Sequence, residues 1–178
     1  MTSLAEIAAA ASAQHLPPVE TWHPAHCGDS DMRIGRDGTW YHAGTPIARP
    51  EMVRLFSTIL RREPAGGYVL VTPAEKLDIT VDDVPFVAVE ASSEGSGASR
   101  RLGFRLNTGE MLIAGPACGL RFDVAADGTP RPYLHVRAGL DALVARAVYY
   151  ELVDLALAEG ASPPGLWSDG AFFAFPDA

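Results

Sequence analysis

MRIGRDGTWYH, residues 32–42, reads as strand, tight turn, strand. Asp37-Gly38 suits a tight hairpin, where positive φ costs glycine nothing. LRFDVAADGTPRPYLHV, residues 120–136, has the same character, with Asp127-Gly128-Thr129 placed 90 residues after Asp37-Gly38-Thr39. In each case an aromatic and a histidine follow, and then a helical pattern. That shared order predicts two related halves, with helices at 50–62 and 140–158 superposing together with their preceding hairpins.

Reading outward, Pro50 suits the first turn of a helix, and Met52, Phe56, Ile59 and Leu60 recur at helical spacing on one face. Gly66-Gly67 ends that pattern. YVLVT, LDITV, FVAVE, LGFRL and MLIAG then read as strands, rich in β-branched and aromatic residues. Residues 140–158 read as the longest helix. Its apolar side chains point in nearly all directions, which predicts a helix buried all round. Within it, Glu151 is expected at the rim, the sharper alternative being a buried carboxylate paired with an arginine. Residues 2–14 read as an alanine-rich helix ending before Pro17-Pro18.

The expected fold class is therefore α+β: two similar β-rich halves, antiparallel sheets curved around helices, and an added N-terminal helix. The boundaries are 1–18 for the N-terminal helix and linker, 19–84 for the first half and 85–178 for the second.

Composition narrows the function classes. Thirteen arginines and one lysine against 22 acids give a net charge of −8. An acidic chain without a basic run is a poor nucleic-acid binder. No stretch approaches the roughly 18 apolar residues that span a bilayer. Two cysteines make no disulfide framework, so a cytoplasmic setting with free thiols is expected. HPAHCGD, residues 23–29, offers His23, His26 and Cys27, but a structural zinc site usually needs four ligands. Neither metal nor cofactor is expected there. GSGASR, residues 95–100, lacks phosphate-loop spacing and reads as a linker.

The segments CGDSDMRIGRDGTWYHAGTPI, MVRLFSTILRRE, YVLVTPAEKLDITVDDVPF, FRLNTGE, YLHVRAGLDALVARAVYYELV and GLWSDGAFF, from about residue 19 to 174, together resemble domain-of-unknown-function family 1285, small proteobacterial proteins. The resemblance implies two β-rich halves with similar cores, each with a helix, and a role in ligand binding or signalling. It implies no catalytic motif.

The leading expectation is a non-catalytic ligand- or peptide-binding module with a signalling role. The alternatives are a small hydrolase-like enzyme using Cys27 or a carboxylate such as Glu151, and a protein-interaction module using Trp167, Phe172 and Phe173. For the binding reading, Lys76, Arg105 and Asn107, with Arg49, are the expected site residues. Guanidinium and ammonium groups would favour a small anionic ligand or a peptide carboxylate.

Overall fold

The computed structural model describes Glu6, Ile7, Ala9 and residues 15–176. Of the helix expected over 2–14, the three described residues are helical, and the others lie outside the described residues. The first complete element is a single 3-10 turn, Val19–Thr21. The chain forms two compact units, one of His15–Phe86 with Ala138–Leu140, the other of Met1–Gln14, Val87–Arg137 and Asp141–Ala178.

The first unit is a six-stranded sheet with one helix. Its elements are β1 (His26–Ile34), β2 (Trp40–His42), β3 (Thr45–Pro46), α1 (Pro50–Thr58), β4 (Leu60–Arg62), β5 (Tyr68–Val71) and β6 (Lys76–Val81). The strand order is β3-β2-β1-β6-β5-β4. Two antiparallel meanders meet where β1 and β6 pair in parallel, so the sheet is mixed rather than antiparallel. Helix α1 lies in the connection between the meanders. It ends at Thr58, four residues short of the expected end. Residues 60–62 instead pair with Tyr68–Leu70, and a turn through Glu63 and Gly66 joins the two strands. Sheet pairing overrides helical periodicity in that segment.

The second sheet has β7 (Phe86–Glu94), β8 (Arg101–Leu106), β9 (Met111–Ile113), β10 (Leu120–Val124), β11 (Pro130–Arg137) and β12 (Leu140–Val144), in the order β10-β11-β12-β7-β8-β9. Helix α2 (Arg146–Glu159) and a hairpin of β13 (Gly165–Ser168) and β14 (Ala171–Ala174) follow. The expected helix over 140–158 therefore begins six residues late. LDALV is a strand that buries Leu140, Ala142 and Val144 at period two. Nor is α2 buried all round. It covers Val148, Leu152 and Ala156, one stripe at i, i+4, i+8, while Tyr150 and Leu157 are exposed. Burying the Val and Leu of that stripe stabilises by roughly 1.5–3 kcal/mol each. The helix stops at Gly160, whose left-handed backbone lets its N–H reach the carbonyls of Ala156 and Leu157.

Glu151 is exposed; a part-buried carboxylate–arginine pair forms two turns later, at Glu159. Arg100, 6% exposed, reaches Glu159 Oε1 at 2.5 Å and donates to Ser93 Oγ. The same carboxylate oxygen accepts the Gly97 N–H at 2.8 Å. The expected GSGASR linker is thus a 3-10 turn, Gly97–Ser99, tied to the end of α2. The terminal hairpin closes this unit. Leu166 is fully buried, and buried Ser168 donates to Ala114 O while accepting the Leu102 N–H.

Both sheets place the last strand of the second meander beside the first strand of the first meander. By topology β1–β3 correspond to β7–β9, and β4–β6 to β10–β12. The Asp-Gly-Thr echo crosses this correspondence: one copy joins β1 to β2, the other joins β10 to β11. The helices likewise occupy different places, α1 between meanders and α2 after both, so the expected superposition of hairpin plus helix does not hold. The echo is shared turn chemistry. Thr39 N–H bonds Asp37 Oδ1 at 3.0 Å, Thr129 N–H bonds Asp127 Oδ1 at 2.9 Å, and Gly38 and Gly128 sit at φ 80° and 81°. Hydrogen bonds from the threonines lower the pKa of both aspartates.

Two outcomes follow from the second unit. A Cβ on Gly165 would lie 2.5 Å from Phe173 O and 2.6 Å from the Phe172 ring, so Gly165→Ala should destabilise by about 1–3 kcal/mol in urea unfolding; an unchanged midpoint would refute the packing. The second concerns pH. The bond from Arg100, then that from Gly97, holds the Glu159 carboxyl below its ordinary value. A lowered native pKa contributes stability above the unfolded value that is lost as pH falls through the native one. The melting-temperature gap between wild type and Glu159→Gln should be full near neutral pH and close below about pH 4; a gap independent of pH would contradict it.

Candidate functional site

Helix α1 is amphipathic, yet its sequence face does not become core. Pro50 fixes its first turn, and Arg49 caps it with no side-chain bond. Ser57 Oγ and Thr58 Oγ1 donate to the carbonyls of Arg54 and Leu55, both at 2.7 Å, at its end. Met52, Phe56 and the following Ile59 face the sheet, but the only buried residue of the helix is Ser57. Met52 remains 39% exposed. A stripe that reaches a sheet without being covered by it implies a gap.

That gap is a cavity of about 420 Å³. Met52, Phe56 and Ile59 line one side; Ser30, Met32, His42, Ile47, Leu70, Thr72, Glu75 and Leu77 line the rest. The sheet side follows from strand alternation. Ser30 and Met32 lie on one face of β1, and Met32 pairs across with His42 of β2. Leu70 of β5 pairs with Leu77 of β6. Farther along the same faces, Ile34 and Trp40 are 0% and 1% exposed. Trp40 stacks on Phe56 at 6.4 Å between ring centroids, with the planes 18° apart. The cavity begins where Ser30 and Thr72 stand in place of larger apolar side chains.

Both small polar residues are fixed by local bonds. The β1–β6 register shifts between Asp29 and Arg33. There Ser30 Oγ donates to Asp78 O at 2.7 Å and accepts the Met32 N–H at 3.2 Å. Thr72 Oγ1 accepts the N–H groups of Ala74 and Glu75, at 3.3 and 3.2 Å, in the turn that sets Glu75 at the cavity.

The residues expected to bind an anion fall in two places. Lys76 and Arg49 belong to the first unit, Arg105 and Asn107 to the second, and none of the four lines the cavity. Lys76, on the face of β6 opposite Leu77, pairs with Glu63 at 3.3 Å, and Arg61 pairs with Glu63 at 2.7 Å. Burial pushes the Glu63 carboxyl up, but the bonds and charges of Arg61 and Lys76 outweigh it and lower its pKa. Arg105 meets Glu90 at 2.7 Å with both side chains well exposed, a pair of small energetic weight. Asn107 joins strand ends: its Oδ1 accepts the Val87 N–H at 3.0 Å, and its own N–H reaches Val87 O at 2.8 Å. Arg49 is exposed, and its carbonyl accepts the N–H groups of Met52 and Val53.

In HPAHCGD, His26 Nε2 bonds Asp78 Oδ2 at 2.9 Å, Cys27 is exposed with its thiol directed to Ala25 O, and His23 is exposed. Among the described residues no three His, Cys, Asp or Glu side chains group to hold a metal. Half-buried Cys118 has its thiol pKa raised, first by burial and then by Glu110. Trp167, Phe172 and Phe173 are partly covered, with the ring centroids of Trp167 and Phe172 5.3 Å apart. No described helix is long and apolar enough to cross a membrane.

Two family models cover this chain: "Domain of unknown function (DUF1285), N-terminal domain" over residues 17–84 and "Protein of unknown function (DUF1285), C-terminal domain" over 85–175. The chain belongs to the DUF1285 family. A crystal structure of a DUF1285 family protein from Silicibacter pomeroyi DSS-3 is 48% identical, with a TM-score of 0.83, covering 94% of this chain and 93% of that one. A second, from Shewanella baltica OS155, is 25% identical with a TM-score of 0.54, covering 69% of this chain and 90% of that one. No curated protein matches the chain.

The cavity makes a mechanical prediction. Enlarging a side chain in a filled core costs typically 1–3 kcal/mol. Leu70→Trp, directed into open space, should change unfolding free energy by less than about 1 kcal/mol; a loss of 3 kcal/mol would mean the space is already filled.

Proposed function

We propose that the first unit of this DUF1285 protein is a non-catalytic binding module for a small, largely apolar ligand. The observation that carries the reading is the space beneath α1. Its volume, about 420 Å³, falls within the roughly 300–1,000 Å³ of ligand pockets, and it equals roughly fourteen water volumes. Its walls are apolar side chains with a few polar groups, the usual composition of such sites. Two of the four methionines, Met32 and Met52, line it, and flexible thioethers adapt to varied apolar shapes. This reading moves the site away from the arginine and lysine positions and replaces an anionic ligand by an apolar one.

A ligand bound only by the folded state raises stability by mass action, about 2.7 kcal/mol at a hundred times its Kd. In a thermal-shift screen of neutral apolar compounds of this size, binders should raise the melting temperature of wild type and leave Leu70→Trp unmoved. If no such compound stabilises the wild type, or if the variant responds equally, the reading is wrong.

A further inference from the structure

Resting on that binding reading, we infer that the cavity selects apolar ligands bearing an ammonium head and rejects those bearing a carboxylate. Among the described residues no lysine or arginine lines the space, and Glu75 is the one carboxylic acid that does. Neighbouring acids in the same unit have cationic or imidazole partners: Glu63 has Arg61 and Lys76, Asp82 has Arg33, and Asp78 has His26. Among the described residues the Glu75 side chain has no ion pair or hydrogen bond of its own; its bonds run through the backbone to Thr72. The lysine next to it in sequence is turned to the other sheet face and held by Glu63.

An apolar wall beside a carboxylate lacking an internal cation is complementary to an alkyl or aryl amine. The wall takes the chain out of water, and the ammonium meets the charge at the rim. A carboxylate head would instead face Glu75 with no counter-charge from the lining. The net charge of −8 adds to that repulsion. His42 is the other titratable group of the lining, reaching it from β2, and its contribution is separable by substitution.

Octylamine, octanol and octanoate share one chain and differ in the head group. Calorimetric titration of the full chain should give octylamine a Kd at least about tenfold below that of octanoate, a gap of about 1.4 kcal/mol, with octanol between them. Glu75→Gln should remove most of this gap between amine and acid, whereas His42→Gln should preserve it. Octanol binding with equal affinity for amine and acid, or a preference surviving Glu75→Gln, would overturn the head-group inference alone. Failure of all three probes to bind would overturn it together with the binding reading.

Discussion

The parallel pairing of β1 with β6 is the constraint on which the first unit depends. Parallel neighbours cannot be joined by a tight turn, so the chain makes two meanders and passes through α1 before β6 returns beside β1. The pairing sets His26 against Lys76 and Ile34 against Val81. It also absorbs an irregularity, because CGDSDM is too polar and too bent to run as a regular central strand. Asp31 takes a left-handed backbone at φ 54°, its N–H bonded to Asp29 Oδ1 at 2.8 Å. Ser30 uses its hydroxyl to span the gap. The irregularity places a small polar residue under α1, and the cavity follows from that.

The two halves share a plan but use it differently. In the second, the stripe on α2 is fully covered and a part-buried Arg100–Glu159 pair ties its end to the turn before β8. In the first, the helix has no buried apolar residue. A covered helix stripe in the second unit and an uncovered one in the first is the contrast on which the binding proposal rests, since interiors are ordinarily close-packed.

Much of this was legible in the residues. The Asp-Gly turns and the apolar strands come from short-range signals; the two halves were expected from an echo that proves to be turn chemistry at non-equivalent places. Leu60–Arg62 and Leu140–Val144 did not, because each adjoins a helical pattern and its strand character depends on partners elsewhere. Met52 and Phe56 were legible as an apolar face, but a face does not reveal what covers it. Ser30, His42 and Thr72, polar residues at inward positions, were the available signal for a cavity. The anion site was sought in unpaired-looking cations, although Glu63 is 13 residues from Lys76 and Glu90 is 15 from Arg105, pairings that strand packing alone decides. The pair of Arg100 with Glu159, 59 residues apart, is equally non-local.

The most direct measurement uses the four methionine methyl groups as reporters. Xenon enters apolar cavities, and carbon-13 labelling resolves each methyl by NMR. Met32 and Met52 line the large cavity, while Met111 borders a space of about 10 Å³, too small for the gas. Under xenon pressure the Met32 and Met52 signals should shift and saturate, with Met111 unmoved. Signals that stay in place, or a uniform drift of all methionines, would mean that no such cavity exists beneath α1.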